Sequence, residues 1–216
     1  MSKEIHEVRV HHIMSLVGGF LGAYGMITRA GNFGSSETTN MISMVTSFLG
    51  KDIETAFYRL VALIIYIAAF AMTVVIPKKS KANVKYVSLV IDFIGIIILM
   101  FIPEKIDPVI ALFPIFFMSA FQYNAFAKIK NYNCATIFST NNLRQMVIGF
   151  TEYITDKNKE ELDRGKFFGA TLLWYHVGVA VAFFAVKHLG LHGIIVCIPF
   201  IILATSIMVM KKSTKR

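Results

Sequence analysis

Six stretches of this sequence are each about 20 residues long and almost free of charge: 10–28, 57–77, 84–103, 109–127, 167–186 and 191–210. At a rise of 1.5 Å per residue, about 20 apolar residues match the roughly 30 Å hydrocarbon core of a bilayer. Helices of this length in a soluble protein would carry a polar face, and these do not. Only 16% of the chain is charged, with a mean hydropathy of +0.62, where a soluble domain carries roughly 25% charge. The expected fold is therefore an all-α polytopic membrane protein, with residues 1–216 forming a single membrane domain. The opening "MSKEIHEVRVHH" is charged and has no small-residue cleavage site, so the first apolar run is expected to serve as the insertion signal itself.

The net charge of +9 does not point to nucleic acid, because no basic motif interleaved with aromatics is present. The lysines sit in loops instead: Lys78, Lys79, Lys81 and Lys85 together, then Lys128 and Lys130, then Lys211, Lys212, Lys215 and Arg216. Basic loops of this kind mark the cytoplasmic side and contact anionic membrane lipid. Two further segments, 37–50 and 135–154, are helical in pattern but start from polar clusters. The first is about 14 residues and reaches only about 21 Å, too short to cross alone. If both crossed fully, Lys78–Lys85 and Lys128/Lys130 would fall outside. If neither completes a crossing, both clusters and both termini lie inside, leaving Arg29, Lys51, Lys187 and the Glu104–Asp107 loop outside. The charge bias favours six spanning helices plus two short, discontinuous ones.

The two polar clusters, "SSETTNMISMV" at 35–45 and "FSTNNLRQMV" at 138–147, fall in related sequence. A gap-free shift of 102 positions pairs Ala23 with Ala125, Thr38 with Thr140 and Asn40 with Asn142. The same shift pairs Met44, Val45 and Phe48 with Met146, Val147 and Phe150, and "YIAAF" at 66–70 resembles "YHVGV" at 175–179. The halves 11–103 and 109–210 thus read as two repeats. With three crossings each they would be inverted, a layout shared by many secondary transporters.

"GGFLGAYGM", "TTNM", "FQYNAF" and "STNNL" resemble the two signature regions of the YoaK-like family, bacterial membrane proteins with a domain of unknown function. The resemblance spans roughly 14–205. In that family the first region reads Gly-x-x-Asp-Ala then Thr-Gly-Asn, and the second Gln-Asn-Ala then Thr-Gly-Asn. Gln122, Asn124, Ala125, Thr38, Asn40, Thr140 and Asn142 fit the pattern. The middle glycines are Thr39 and Asn141 here, and the usual Asp is Gly22, so that carboxylate is lost or moved to Glu37. The resemblance implies a bacterial cytoplasmic membrane and no established activity.

The chemistry must come from the clusters. Ser, Thr and Asn cap helices by accepting from the first free amides, and backbone broken at membrane depth needs such partners. That structural role and a binding role stay equally open for each residue. In the binding role, two half-helix N-termini, each with about half a positive charge, face each other and hold a small polar or anionic solute. The candidate solute-binding residues are Thr38, Thr39, Asn40, Gln122, Asn124, Thr140, Asn141 and Asn142. The candidate charge-relay residues are Glu37, Arg144, mid-span Asp92 and His176, the last as the partner of Asp92, as a proton relay or, equally, as an imidazole bonded to a helix carbonyl. Arg144 also reads as an interfacial, snorkelling side chain. Tyr24, Tyr66, Trp174 and Tyr175 read as packing or interface aromatics. Cys134 and Cys197 lack disulfide or metal spacing, and His6, His11 and His12 lack a carboxylate cluster for a metal. No cofactor is expected, and no nucleophile, acid and base converge as an enzyme would require. The expected function is a transporter or channel, with a non-catalytic accessory or scaffold protein as the alternative; the small size is compatible with a homodimer.

Overall fold

α1, Lys3–Thr28, carries glycines at 18, 19, 22 and 25, and these decide how the rest of the chain packs. A Cβ on Gly19 would lie 2.0 Å from the carbonyl oxygen of Tyr175, and one on Gly178 would lie 2.0 Å from that of Leu16. The backbones of α1 and α8 (Lys159–Leu189) touch there, as small residues allow between membrane helices. The computed structural model describes residues 3–213, so Lys215 and Arg216 of the expected C-terminal basic cluster lie outside the described residues.

After a loop at 29–36, α2 (Glu37–Leu49) turns back through Gly50–Asp52 into α3 (Ile53–Ser80) and packs along it. Asp52 caps α3 by accepting from the Thr55 amide at 3.1 Å. Lys81, in a left-handed conformation (φ 56°), and Asn83 lead into α4, Val84–Phe101. Then come α5 (Pro108–Ala111), α6 (Phe113–Ala125) and a two-residue ladder of β1 (Lys128–Ile129) with β2 (Tyr132–Asn133). α7 (Thr140–Asp156) forms a hairpin with α8, and a 3₁₀ segment, Gly190–Cys197, leads to α9, Ile198–Ser213. α3 lies on α6 much as α8 lies on α1. α4 packs on α6 and α9, and α9 also packs on α1. The core is Phe20, Leu21, Tyr24, Ile96, Leu99, Ile115, Met118 and Phe121 from α1, α4 and α6, all essentially without exposure.

Side-chain contacts sort the loops into two ends. At one end Lys130 pairs with Glu4 at 2.9 Å, Lys85 lies over the Phe126 ring, and Tyr86 donates to the Met208 carbonyl. At the other, Arg29 donates to the carbonyls of Ile102, Pro103 and Glu104, and Tyr24 donates to that of Leu191. Arg29 there satisfies carbonyls that the end of α4 leaves open.

Among the described residues, four helical stretches are long and apolar enough to cross a membrane: Glu4–Thr28, Ile53–Ser80, Val84–Phe101 and the 52-residue stretch Lys159–Met210. Of the six expected spans, 109–127 is not among these stretches, and 167–186 and 191–210 fall within one. The run 109–127 is broken at Leu112. Asp107 caps α5 by accepting from the amides of Val109 and Ile110, and Pro114, which has no N–H, sits in the first turn of α6. At 13 residues, α6 is about 20 Å long. The run 191–210 begins with 3₁₀ turns, because Gly190 (φ 57°) breaks the helix and Gly193 tucks against α8, a Cβ there meeting Ala185 backbone at 2.7 Å. The two short helices appear as expected, except that 134–139 is loop and α7 starts at Thr140.

The glycines give a first test. Gly19→Ala or Gly178→Ala drives Cβ into facing backbone and is expected to cost on the order of 3 kcal/mol or more. Gly31 has φ 75° and open space around its missing Cβ, so Gly31→Ala is expected to cost only about 1–2 kcal/mol. Thermal unfolding of the detergent-solubilised variants checks the order.

Candidate functional site

The loops that lead into α2 and α7 both rest on the α1/α6 pair. In the loop before α2, the Ser35 hydroxyl bonds that of Ser119 at 2.9 Å, and Phe33 lies where a Cβ on Gly22 would be, 2.8 Å from its ring. In the loop before α7, the Thr136 carbonyl sits against Gly18, a Cβ there reaching it at 2.3 Å. Gln122 donates to the Thr136 hydroxyl at 2.9 Å and to the Met14 carbonyl at 2.8 Å. Gly18 and Gly22 are four apart on α1, and Ser119 and Gln122 three apart on α6. Such spacings share a helix face, so the two loops lie about one turn from each other.

The capping is uneven. Ser36, not Thr38 or Asn40, caps α2, accepting from the Thr39 amide at 3.4 Å. Ser139 has helical dihedrals and gives α7 no side-chain cap, which corrects the expectation that both clusters cap alike. Asn142 instead reaches back, donating to the carbonyls of Ala135 (2.7 Å) and Phe138 (3.0 Å) while accepting from the Cys134 thiol. Burial pushes that thiol up to about 12, against a lowering hydrogen bond with Thr171, so it stays protonated near neutral pH. Asn40 is buried like its counterpart Asn142 and donates to Glu37 Oε1 (2.9 Å) and to the Arg59 carbonyl (3.0 Å). Burial raises the Glu37 carboxyl above the ordinary carboxylate range, with the bond from Asn40 opposing it. Its Oε2 is buried without a partner.

Of the candidate residues, Asn40, Gln122 and Asn142 are buried around the junction. Thr38, Thr39 and Thr140 are exposed, and Asn141 is half-buried beside the Asn133 carbonyl. Asn124 is exposed and bonds Thr73 of α3. Arg144 is exposed, and its guanidinium donates to Asn141 at 3.4 Å, so it points no charge into the junction. Asp92 and His176 are not partners. Asp92 is fully buried on α4, which faces α6, the 190–197 segment and α9, whereas His176 is exposed on α8 with Nδ1 2.8 Å from the Leu172 carbonyl. The Asp92 carboxyl has the Ser88 hydroxyl, one turn before, as its polar neighbour.

Several functional candidates carried no motif. Arg59 is the one charge in the apolar run 57–77, and that isolation was its signal. It donates to Asn32 at 2.8 Å and helps line a cavity of about 120 Å³ with Asn40 and Ser43. Tyr123 bridges the halves, its ring 5.1 Å from Phe138 and 6.0 Å from Phe70; only the fold brings these together. His11 and His12 both pack on Phe167.

A second test follows from Asp92. With no basic partner in contact, Asp92→Asn is expected to change unfolding free energy by no more than about 1 kcal/mol, whereas breaking a buried ion pair costs about 3–5 kcal/mol. Denaturant unfolding in detergent distinguishes the two, and the larger loss would reveal a charged partner.

No curated protein and no solved structure matches this chain at a significant level. The sequence profile of the family described as "Protein of unknown function (DUF1275)" matches residues 10–208, nearly the whole length. The chain, a helical protein with membrane-compatible spans, therefore belongs to the DUF1275 family, of which the YoaK-like proteins are members.

Proposed function

We propose that this protein is a multi-pass permease, a transporter or channel that passes a small polar or anionic solute between the starts of α2 and α7. One observation carries the reading: two polar loops, each opening a helix that is not among the candidate spans, are seated about one turn apart on the same face of α1 and α6. At membrane depth, irregular backbone is tolerated only inside protein or beside a water-filled cavity. The α7 start has no side-chain cap, so its first amides are open to a solute, aided by the helix dipole.

The architecture supports this. Exchanging α1 with α6, α2 with α7, α3 with α8 and α4 with α9 converts the α1–α8 contact into α6–α3, α2–α3 into α7–α8, and α1–α9 into α6–α4. An inverted repeat predicts that exchange. Reading α5–α6 as one crossing and dividing the stretch 159–210 at Gly190 makes six crossings. Both lysine-rich loops, 78–85 and 128–130, then share an end with the start of α1 and the end of α9. The positive-inside rule makes that end cytoplasmic in a bacterial inner membrane, with anionic lipid around it. Glu37 and Asp92 are the carboxylates available to move charge.

A scaffold role is the second reading. It is favoured by Gln122 and Asn142, which spend their amide hydrogens on backbone carbonyls or a neighbouring hydroxyl. Liposome swelling separates the two. Proteoliposomes challenged with iso-osmotic glycerol, urea, acetate or glycolate are expected to swell faster than empty ones for at least one probe. Asn40→Ala and Asn142→Ala are each expected to lower that rate at least tenfold. If both variants fold and swell at the wild-type rate, the permease reading fails and the scaffold reading stands.

A further inference from the structure

At the α2 end of the junction, Asn32, Asn40, Ser43 and Arg59 enclose a cavity of about 120 Å³ against Leu112 and Phe116. At roughly 30 Å³ per water it has room for about four waters, or for a solute of a few heavy atoms. Two polar atoms of its wall are buried and unpartnered: Nε of Arg59, a donor, and Oδ1 of Asn40, an acceptor. Asn40 is 1% exposed, and its amide hydrogens are already held by Glu37 and the Arg59 carbonyl. Its free oxygen therefore has a fixed direction.

The charge is unbalanced as well. Among the described residues no carboxylate lies within ion-pair distance of Arg59, and its guanidinium spends only Nη2, on the neutral amide of Asn32. Water filling the cavity would complete hydrogen bonds but leave a half-buried cation whose counter-charges, Asp107 and Asp52, act only from beyond contact, a costly arrangement in a low-dielectric site. Guanidinium–oxyanion hydrogen bonds are about twice as strong as neutral ones. An oxyanion alone would still leave Asn40 Oδ1 without a donor. The occupant that satisfies both atoms has an anionic oxygen at one end and an O–H at the other.

We infer that this cavity binds a small hydroxylated carboxylate or similarly protonated oxyanion, of about the size of glycolate. Its anionic oxygen accepts from Arg59 Nε, and its hydroxyl donates to Asn40 Oδ1. The inference rests on the permease reading for its role in passage, as the entry site on the side away from the lysine-rich loops. Binding itself does not depend on that reading.

The test is thermal unfolding of the purified, detergent-solubilised full chain in sodium glycolate, acetate or chloride at equal ionic strength. Glycolate is expected to raise the midpoint saturably, acetate less, and chloride least. Arg59→Gln is expected to abolish the glycolate effect, and Asn40→Ala to remove its advantage over acetate. If Arg59→Gln does not fold, Arg59→Lys, which keeps the charge but lacks the guanidinium N–H, carries the test with at least a tenfold weaker glycolate dependence. Equal midpoints in all three salts would mean that the cavity holds water only and overturn the inference, as would an Arg59 variant that keeps the full glycolate shift. Asn142→Ala, remote from the cavity, is expected to keep glycolate stabilisation. Glycolate stabilisation without accelerated swelling for any probe would remove the permease reading alone. Swelling without anion-specific stabilisation would remove the anion site alone.

Discussion

The backbone contact between α1 and α8 at Gly19 and Gly178 is the constraint on which the other placements depend. In hydrocarbon there is no hydrophobic force to press two helices together, so close packing must do it. Helices that meet at their backbones leave no side chain between them, and their flanking residues engage on both sides. Once α1 is fixed on α8, Gly18 and Gly22 face the opposite partner, where the loops before α7 and α2 come to rest. A larger residue at either position would evict a loop: a Cβ on Gly18 would meet the Thr136 carbonyl, and one on Gly22 the ring of Phe33. The glycine stripe thus positions both polar segments through one helix.

Those segments then meet the rule that buried backbone must be paired. The two halves meet it differently. Before α7, side chains do much of the work: Asn142 covers two carbonyls, and Gln122 ties Thr136 to Met14. Before α2, the backbone turns on itself through Ala30 and Gly31 at positive φ, Ser36 supplies the cap, and Asn40 reaches outward to α3. The Asn40 oxygen is therefore left over in one half, whereas the matching oxygen of Asn142 accepts from Cys134. A repeat that begins with matched asparagines ends with one satisfied and one open amide, and the open one belongs to a residue that lines a cavity.

Much of this was legible in the sequence, and the parts that were not have physical reasons. Long apolar runs, lysine-rich loops and the short reach of 37–50 follow from length and charge alone, which act locally. The break at Leu112 and the 3₁₀ turns of Gly190–Cys197 were not legible because Pro114 and Gly193 sit inside runs whose hydropathy is uninterrupted, and hydropathy does not register backbone dihedrals. Pairing Asp92 with His176 assumed that a mid-span acid should find a mid-span imidazole. Helix rotation decides that, and α8 turns His176 outward. Asn40, Gln122 and Asn142 stood out as amides in apolar surroundings and are buried at the junction. Arg59 was overlooked for the opposite reason: one charge near the end of a span resembles an interfacial anchor until the fold closes a wall around it.

The halves also differ in what surrounds them. The α7–α8 hairpin carries Glu152, Glu161 and Arg164 in an ion-pair network, as suits a hairpin in water. The α2–α3 hairpin exposes Phe48, Leu49, Ile53 and Phe57, each more than half accessible, and that ridge continues down α3 through Leu60, Ile64 and Ile67. A continuous apolar ridge of that length is stable only against other apolar matter, and along α3 that matter is lipid. The α2–α3 hairpin is therefore flanked by hydrocarbon along that ridge, and the charged α7–α8 hairpin is not. Charge in the Arg59 cavity is felt at lower dielectric than charge near Arg144, so an oxyanion gains more by pairing with Arg59 than with the solvated Arg144. The same polar cluster, placed twice in the sequence, ends in two electrostatic environments, and the one beside the apolar hairpin holds a cation with no carboxylate in contact.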